Sequence, residues 1–317
     1  MADGKWIAGL TPEMPVADAA RVVLAARFEV VRQYLPLAAG QPYEDPEYVH
    51  QLRVGTRRAG AALRVFAGCL SRRHLKTTKR YLRTIRRAAG DARDWDVFLK
   101  GLTTHLEKAT SKGRPAIDFL LGYALGERSA AQSRLEQAVS DAGPSFAPDT
   151  ATLPAHAHGL RGSGAPRTFG DLAAAQCGEL FRAFNTAVDA NPDDPRDLHQ
   201  LRILGKRLRY AIELFVSCFA PPLKDAIYPA VEGLQETLGD LQDAAVGAAR
   251  LEALRERVKQ MSPKEWSRLQ FGVEGRLSGL QQKIPAGREQ FQAWRDVWAK
   301  LTSEHPLESL RLTAVAV

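Results

Sequence analysis

Cysteine is scarce. Cys69, Cys177 and Cys218 are the only three in 317 residues, and they form neither an even set nor a CxxC pair. A disulfide framework, a thiol redox motif and a structural zinc are therefore all disfavoured. Long apolar runs are missing as well: no stretch approaches the roughly 18 consecutive apolar residues that a spanning helix needs. The opening MADGKWIAGL lacks a positively flanked apolar secretory segment, so a soluble, cytoplasmic protein without membrane insertion is expected. Aromatics make up only 8%, and period-two runs of Val, Ile, Thr and aromatics are absent, which leaves no signature for strands. There is no Walker GxxxxGK[ST], no HExxH and no nucleophile–base pairing. No catalytic residue, metal set or cofactor is expected.

What remains is an ordinary globular composition, 45% hydrophobic and 25% charged, with enough apolar material for one large or two modest cores. The net charge of +8 is unevenly spread. Between His50 and Arg93 thirteen Lys or Arg face one acid, Asp91, while the rest of the chain carries a net −4. A positive field this local points to a polyanionic partner.

Pro and Gly cluster at residues 1–15, 41–46, 141–168 and 191–195, marking loops or linkers. Between them the apolar spacing is helical, as in Leu52, Ala59, Leu63, Phe66 and Leu70, which predicts an all-α protein. Helices are expected over 16–38, 46–70, 73–89, 93–110, 114–140, 169–190, 196–219, 222–239, 242–260, 263–283 and 286–302. The Pro- and Gly-rich 141–168 reads as a linker between two helical repeats, 16–140 and 169–302, followed by a tail over 303–317.

An internal repeat supports that division. HQLRVGTRRAGAALRVFAGC from His50 aligns without a gap on HQLRILGKRLRYAIELFVSC from His199, an offset of 149 residues. The same offset lays GDARD (Gly90, Asp91, Asp94) over GDLQD (Gly239, Asp240, Asp243). The chain reads as a tandem duplication, whose simplest packing is two antiparallel four-helix-like bundles about a pseudo-twofold axis.

On a helical wheel of about 100° per residue, Arg53, Arg57 and Arg64 lie within about 60° of His50, with the apolar set opposite and Arg58 at the flank. The second copy places His199, Arg202 and Lys206 in one arc and Arg207 at the flank, but Glu213 stands where Arg64 would. The next helix carries Arg72, Lys76, Lys79, Arg80, Arg83, Arg86 and Arg87 within an arc of about 120°. This ribbon lacks the interspersed acids that relieve repulsion on a solvated face, and planar guanidinium groups fork onto phosphate oxygens without losing their proton. With arginines nearby, His50 and His199 are expected to be neutral donors that a bound polyanion would push toward the charged form, so binding should strengthen between about pH 8 and 6. The paired acids, Asp91 with Asp94 and Asp240 with Asp243, are read as helix caps or braces for arginines rather than metal ligands. His156 and His158 fall in the linker, and His74, His105 and His305 have no evident partner.

The two His-x-x-Arg-x-x-x-basic-basic segments, each followed by Gly-Asp-x-x-Asp, resemble the CHAD family of histidine-containing α-helical domains over about 16–302. The resemblance implies paired bundles around a basic central groove or pore, association with polyphosphate granules, and binding of inorganic polyphosphate without hydrolysis. The matching positions are His50, Arg53, Arg57, Arg58, Lys79, Arg80, Arg83, Arg86 and Arg87 in the first copy, and His199, Arg202, Lys206, Arg207 and Arg209 in the second; Arg64 and Lys76 join them from the wheels. Some members carry a fused triphosphatase tunnel domain, but no ExExK strand occurs here. Symmetry also fails between His199 and Gln242, where five bases meet five acids, so the first half is expected to hold most phosphate contacts.

Two other function classes share parts of this pattern. A nucleic-acid binder would show similar electrostatics, yet few aromatics sit among the bases to stack on them. A metal-dependent phosphohydrolase or phosphotransferase would use Asp91 and Asp94. A membrane-surface helix is disfavoured because the apolar faces are needed for the cores.

Overall fold

The computed structural model describes residues 4–42, 44–106, 109–142 and 144–312. All regular structure among them is helical: α1 (Val16–Gly40), α2 (Glu47–Val65), α3 (Arg72–Leu106), α4 (Arg114–Ala142), α5 (Phe146–Thr152), α6 (Phe169–Asp189), α7 (Pro195–Phe215), α8 (Tyr228–Met261) and α9 (Pro263–Glu304). Extended pairing among the described residues is limited to isolated bridges, Pro15 with Thr168 and Phe219 with Arg311. None of the described helices is long and apolar enough to cross a membrane.

Element order repeats at the spacing of the sequence repeat. A short 3-10 turn ends α2 at Ala67–Cys69, and its counterpart ends α7 at Val216–Cys218. The apolar stripe of α2 (Leu52, Ala59, Leu63, Phe66) and that of α7 (Leu201, Leu208, Ile212, Phe215) are fully buried, as their helical spacing requires. In the first half, Gln132 on α4 donates to the carbonyls of Ala38 and Ala39 at the end of α1. In the second, the Trp298 indole of α9 donates to Asn185 on α6 at 3.0 Å and meets Phe184 edge-on at 5.2 Å.

The halves share one core. A single cluster of buried side chains runs from Val16 on α1 to Trp298 on α9. At its centre Phe169 stacks on Phe66 at 6.3 Å and lies 5.1 Å from Phe215, so the two equivalent phenylalanines close on one ring. Thr168 and Asp171 form a reciprocal capping box that fixes the start of α6 there.

Three expected breaks are absent. α3 passes through Gly90, α8 through Gly239 and α9 through Pro285 without interruption. An interior glycine costs about 1 kcal/mol relative to alanine, which burial of Ile85, Ala89 and Ala92 on α3, and of Leu238 and Ala244 on α8, outweighs. The Gly-Asp-x-x-Asp acids therefore project from helix interiors and cap nothing. Segment 141–168 is also more ordered than a free joint: it contains α5 and a 3-10 turn at Leu153–His156, with Phe146 and Leu153 buried. Phe146 packs edge-on against Tyr81, whose hydroxyl donates to Asp149 at 3.0 Å. Beyond α9, Leu307 and Leu310 are buried, and the Leu310 carbonyl accepts from the amide of Ala220.

Candidate functional site

Helices α2 and α7 pack against each other, and bases from both line one cavity. Together with α3 they enclose an open cleft of about 510 Å³. From the first half it is lined by Arg53, Arg57 and Arg64 of α2 and by Arg86 and Arg87 of α3; from the second, by Lys206, Arg207 and the ring of Tyr210 on α7. Asp91 and Asp94 are its only acids. Residues from two copies of the repeat thus share one cavity.

The floor is a layer of alternating charge. Arg53 pairs with Asp94 at 3.1 Å, which realises the bracing role read for that acid. Arg202 and Asp243, the counterparts of Arg53 and Asp94, belong to the same layer. Burial raises the Asp243 carboxyl above its ordinary range; Arg202 opposes that shift and Asp94 adds to it. Gly90 lies alongside the Arg53 guanidinium and Gly239 alongside that of Arg202, so both arginines pass the helices where no side chain stands. Beyond the layer a second cavity of about 230 Å³ opens between α3 and α8, bordered by Arg53, Arg202 and His199.

Crowded cations perturb one another. Burial and then Arg57 hold Lys206 down to about 7, with Arg202, Arg53 and Arg209 adding to the effect. Arg64 is lowered by burial and by Arg207 and Arg86. Like charges at this density favour whichever ligand brings compensating anions.

The sequence-derived residues separate into distinct locations. Arg53, Arg57, Arg64, Arg86, Arg87, Lys206 and Arg207 meet in the cleft, and Arg202 lies just beyond its floor. Lys76, Lys79, Arg80 and Arg83 continue the exposed face of α3 toward its start.

Arg58 and Arg209 do not join the cleft. Arg58 is buried, its Nε 2.7 Å from the carboxylate of Glu213, which is itself buried. Arg209 lies 3.9 Å from Glu213 and 3.6 Å from Glu232. The same Glu213 accepts from the Tyr228 hydroxyl at 2.8 Å and lies 4.0 Å from buried Arg27. A buried carboxylate needs such partners, and it turns both arginines away from solvent.

The histidines lie outside the cleft too. His50 is half-buried at the start of α2 and is held below the ordinary histidine range first by burial and then by Arg93. His199 is exposed, with Nδ1 3.4 Å from Gln242. His74 and His105, which the sequence left without partners, both have neighbours: the His74 ring lies 4.3 Å from that of His156 with the planes tilted by 33°, and Arg276 reaches the His105 ring at 2.8 Å.

Tyr210 is a lining residue that sequence reasoning missed, since its period marks it only as core. The Glu213 hub was announced by one signal: an acid standing where the repeat has Arg64. Among the described residues no three His, Cys, Asp or Glu side chains come together as a metal-holding group.

Comparison with known proteins places this arrangement. The family model of the CHAD domain matches residues 22–252. Among solved structures, the chain is similar to the CHAD domain from the plant Ricinus communis, at 22% identity and a TM-score of 0.68, with 98% of each chain covered. It is also similar to PptA from Streptomyces chartreusis, at 20% identity and a TM-score of 0.66, over 90% of this chain and 99% of that one. At these identities the likeness is one of fold. No curated protein matches the chain in sequence.

Proposed function

The chain belongs to the CHAD domain family, and from that membership we propose that it binds inorganic polyphosphate, without hydrolysing it, in the cleft between α2, α3 and α7. One observation carries the reading: seven Lys or Arg side chains from both halves line a single cavity that holds two acids. One of those acids, Asp94, is already bonded to Arg53. Mutual repulsion of these cations is relieved by a ligand with one negative charge per repeating unit, and guanidinium forks suit successive phosphate oxygens. The protein's contribution is a fixed array of donors. In this reading Asp94 and Asp243 offset part of the charge of Arg53 and Arg202 until a ligand arrives and take no part in bond cleavage.

Titration with polyphosphates of defined length at two salt concentrations tests the proposal. Affinity is expected to fall steeply as salt rises, because each neutralised phosphate releases counterions. Replacing Arg83, Arg86 and Arg87 with Ala should flatten that dependence; an unchanged slope would place the site elsewhere. Polyphosphate should displace labelled RNA or DNA at far lower phosphate concentration than the reverse. Incubation with magnesium or manganese should release no phosphate. Release that disappears in Asp94→Asn would replace binding with hydrolysis as the function.

A further inference from the structure

The cleft opens unequally toward the two halves. On the first half the basic face of α3 continues past it: Lys76, Lys79, Arg80 and Arg83 are exposed and border an open surface of about 650 Å³. Among the described residues no acid lies within ion-pair distance of any of them. From Arg72 to Arg87 this face runs for about 22 Å at the helical rise per residue. At the repeat offset, positions 76, 79, 80 and 83 become Asp225, Tyr228, Pro229 and Glu232.

On that second surface Asp225 and Pro229 are exposed, while Tyr228 and Glu232 are covered by residues 5 and 6. Lys5 reaches both carboxylate oxygens of Glu232 at 3.4 Å, and its ammonium lies 4.3 Å from the centre of the Tyr228 ring. Trp6 packs on the same ring at 5.0 Å. Arg27 anchors the segment from below through the carbonyls of Gly4 and Lys5. A second polyanion path would have to expel this segment and then run over the carboxylate of Glu232.

We infer that a long polyphosphate leaves the cleft along one track only, over the exposed face of α3 toward Arg72, while the counterpart surface at the start of α8 is acidic and is covered at Tyr228 and Glu232 by Lys5 and Trp6. The inference rests on the polyphosphate reading and extends it from the site to the length of ligand the site recognises. An oligomer short enough to sit among Arg57, Arg86 and Lys206 touches none of the track. A longer chain adds track contacts in proportion to the cations it reaches.

The experiment compares tripolyphosphate with a long-chain polyphosphate on the full chain. The track variant Lys76→Ala/Lys79→Ala/Arg80→Ala changes exposed side chains only, and its fold is checked by circular dichroism. It should bind tripolyphosphate within about twofold of the parent and lose at least about tenfold toward the long polymer, with the salt slope lowered by about two for three lost contacts. The cleft variant Arg57→Ala should weaken both ligands. Lys5→Ala/Trp6→Ala, which loosens that cover, should leave long-chain affinity within about twofold, because carboxylates lie beneath it. A track variant that binds the long polymer as the parent does, or loses both ligands equally, overturns the single track. So does a large gain of affinity on loosening the cover. A parent that binds neither polymer refutes the polyphosphate reading itself, a result distinct from either.

Discussion

At an offset of 149 residues, α2 and α7 keep the same buried stripe and nearly the same central bases, whereas α3 and α8 have opposite surface chemistry. Arg83 and Arg87 of α3 correspond to Glu232 and Glu236 of α8, and Arg64 corresponds to Glu213. The structure shows what the inversion accomplishes. Cations on α3 without an acidic partner stay exposed beside a cleft, while Glu213 and Glu232 at two of the matching places receive Arg58, Arg209, Lys5 and Tyr228. One copy of the face leaves its charge exposed. The other spends the charge of Glu213 and Glu232 on partners within the protein.

The largest test of this contrast is on stability. Glu213→Gln leaves Arg58 and Arg27 buried beside a neutral amide and is expected to cost about 3–5 kcal/mol, the usual penalty for breaking a buried ion pair. Arg64→Gln at the equivalent exposed position should stay within about 0.5 kcal/mol. Denaturant unfolding of both variants measures the difference; equal losses would erase the distinction between the halves.

Binding should show the reverse asymmetry. Arg86→Glu/Arg87→Glu should lower polyphosphate affinity by about a hundredfold, about 2.7 kcal/mol on the affinity scale, because it both removes and opposes charge in the cleft. Glu236→Arg, at the place equivalent to Arg87, should change affinity by less than about threefold if α8 lies off the ligand path. Calorimetric titration at constant salt decides between them.

A finer contrast separates Lys206 from its counterpart Arg57. Arginine stays charged throughout the accessible range, whereas burial and Arg57 lower Lys206 from 10.5 to about 7. Between those values free protein holds Lys206 neutral, and a bound polyanion restores its charge by proton uptake. Affinity should therefore rise as pH falls from about 10.5 toward 7 and level below it, and Lys206→Arg should remove that rise. The sign for the unliganded fold is opposite: the unfolded chain binds the proton across this window, so stability increases with pH from about 7 to 10.5. His50, held below the ordinary histidine range by burial and Arg93, lies outside the cleft, so His50→Gln should leave this profile unchanged.

The smallest effect lies in the floor. Asp94→Asn and Asp243→Asn each release an arginine from a competing carboxylate and should raise polyphosphate affinity about two- to fivefold, within the range for partly exposed ion pairs. A gain from Asp94→Asn alone would restrict the working floor to the first half.

Much of this was readable from residue order because it depends on local periodicity. The stripe Leu52–Phe66, its copy Leu201–Phe215, and the cationic arc of α3 follow from the helical repeat alone. What could not be read depends on partners far along the chain. Arg58 sits at the flank of its wheel, and Glu213, 155 residues away, draws it inward. Gly90, Gly239 and Pro285 look like breaks because local preference says so, while tertiary burial carries the helices through. The cover at the start of α8 depends on Lys5 and Trp6 finding Glu232 and Tyr228 more than two hundred residues later, a meeting that no spacing announces.

The unbroken run of α3 from Arg72 to Leu106 has a mechanical consequence. Cations carried on a continuous helix keep the spacing of their backbone attachments fixed, so only their side-chain ends can adjust to an incoming anion. On the polyphosphate reading, a slack mineral polymer would straighten to follow the helix, and the freedom it surrenders would grow with every unit laid down. Such a surface would act as a template for its ligand.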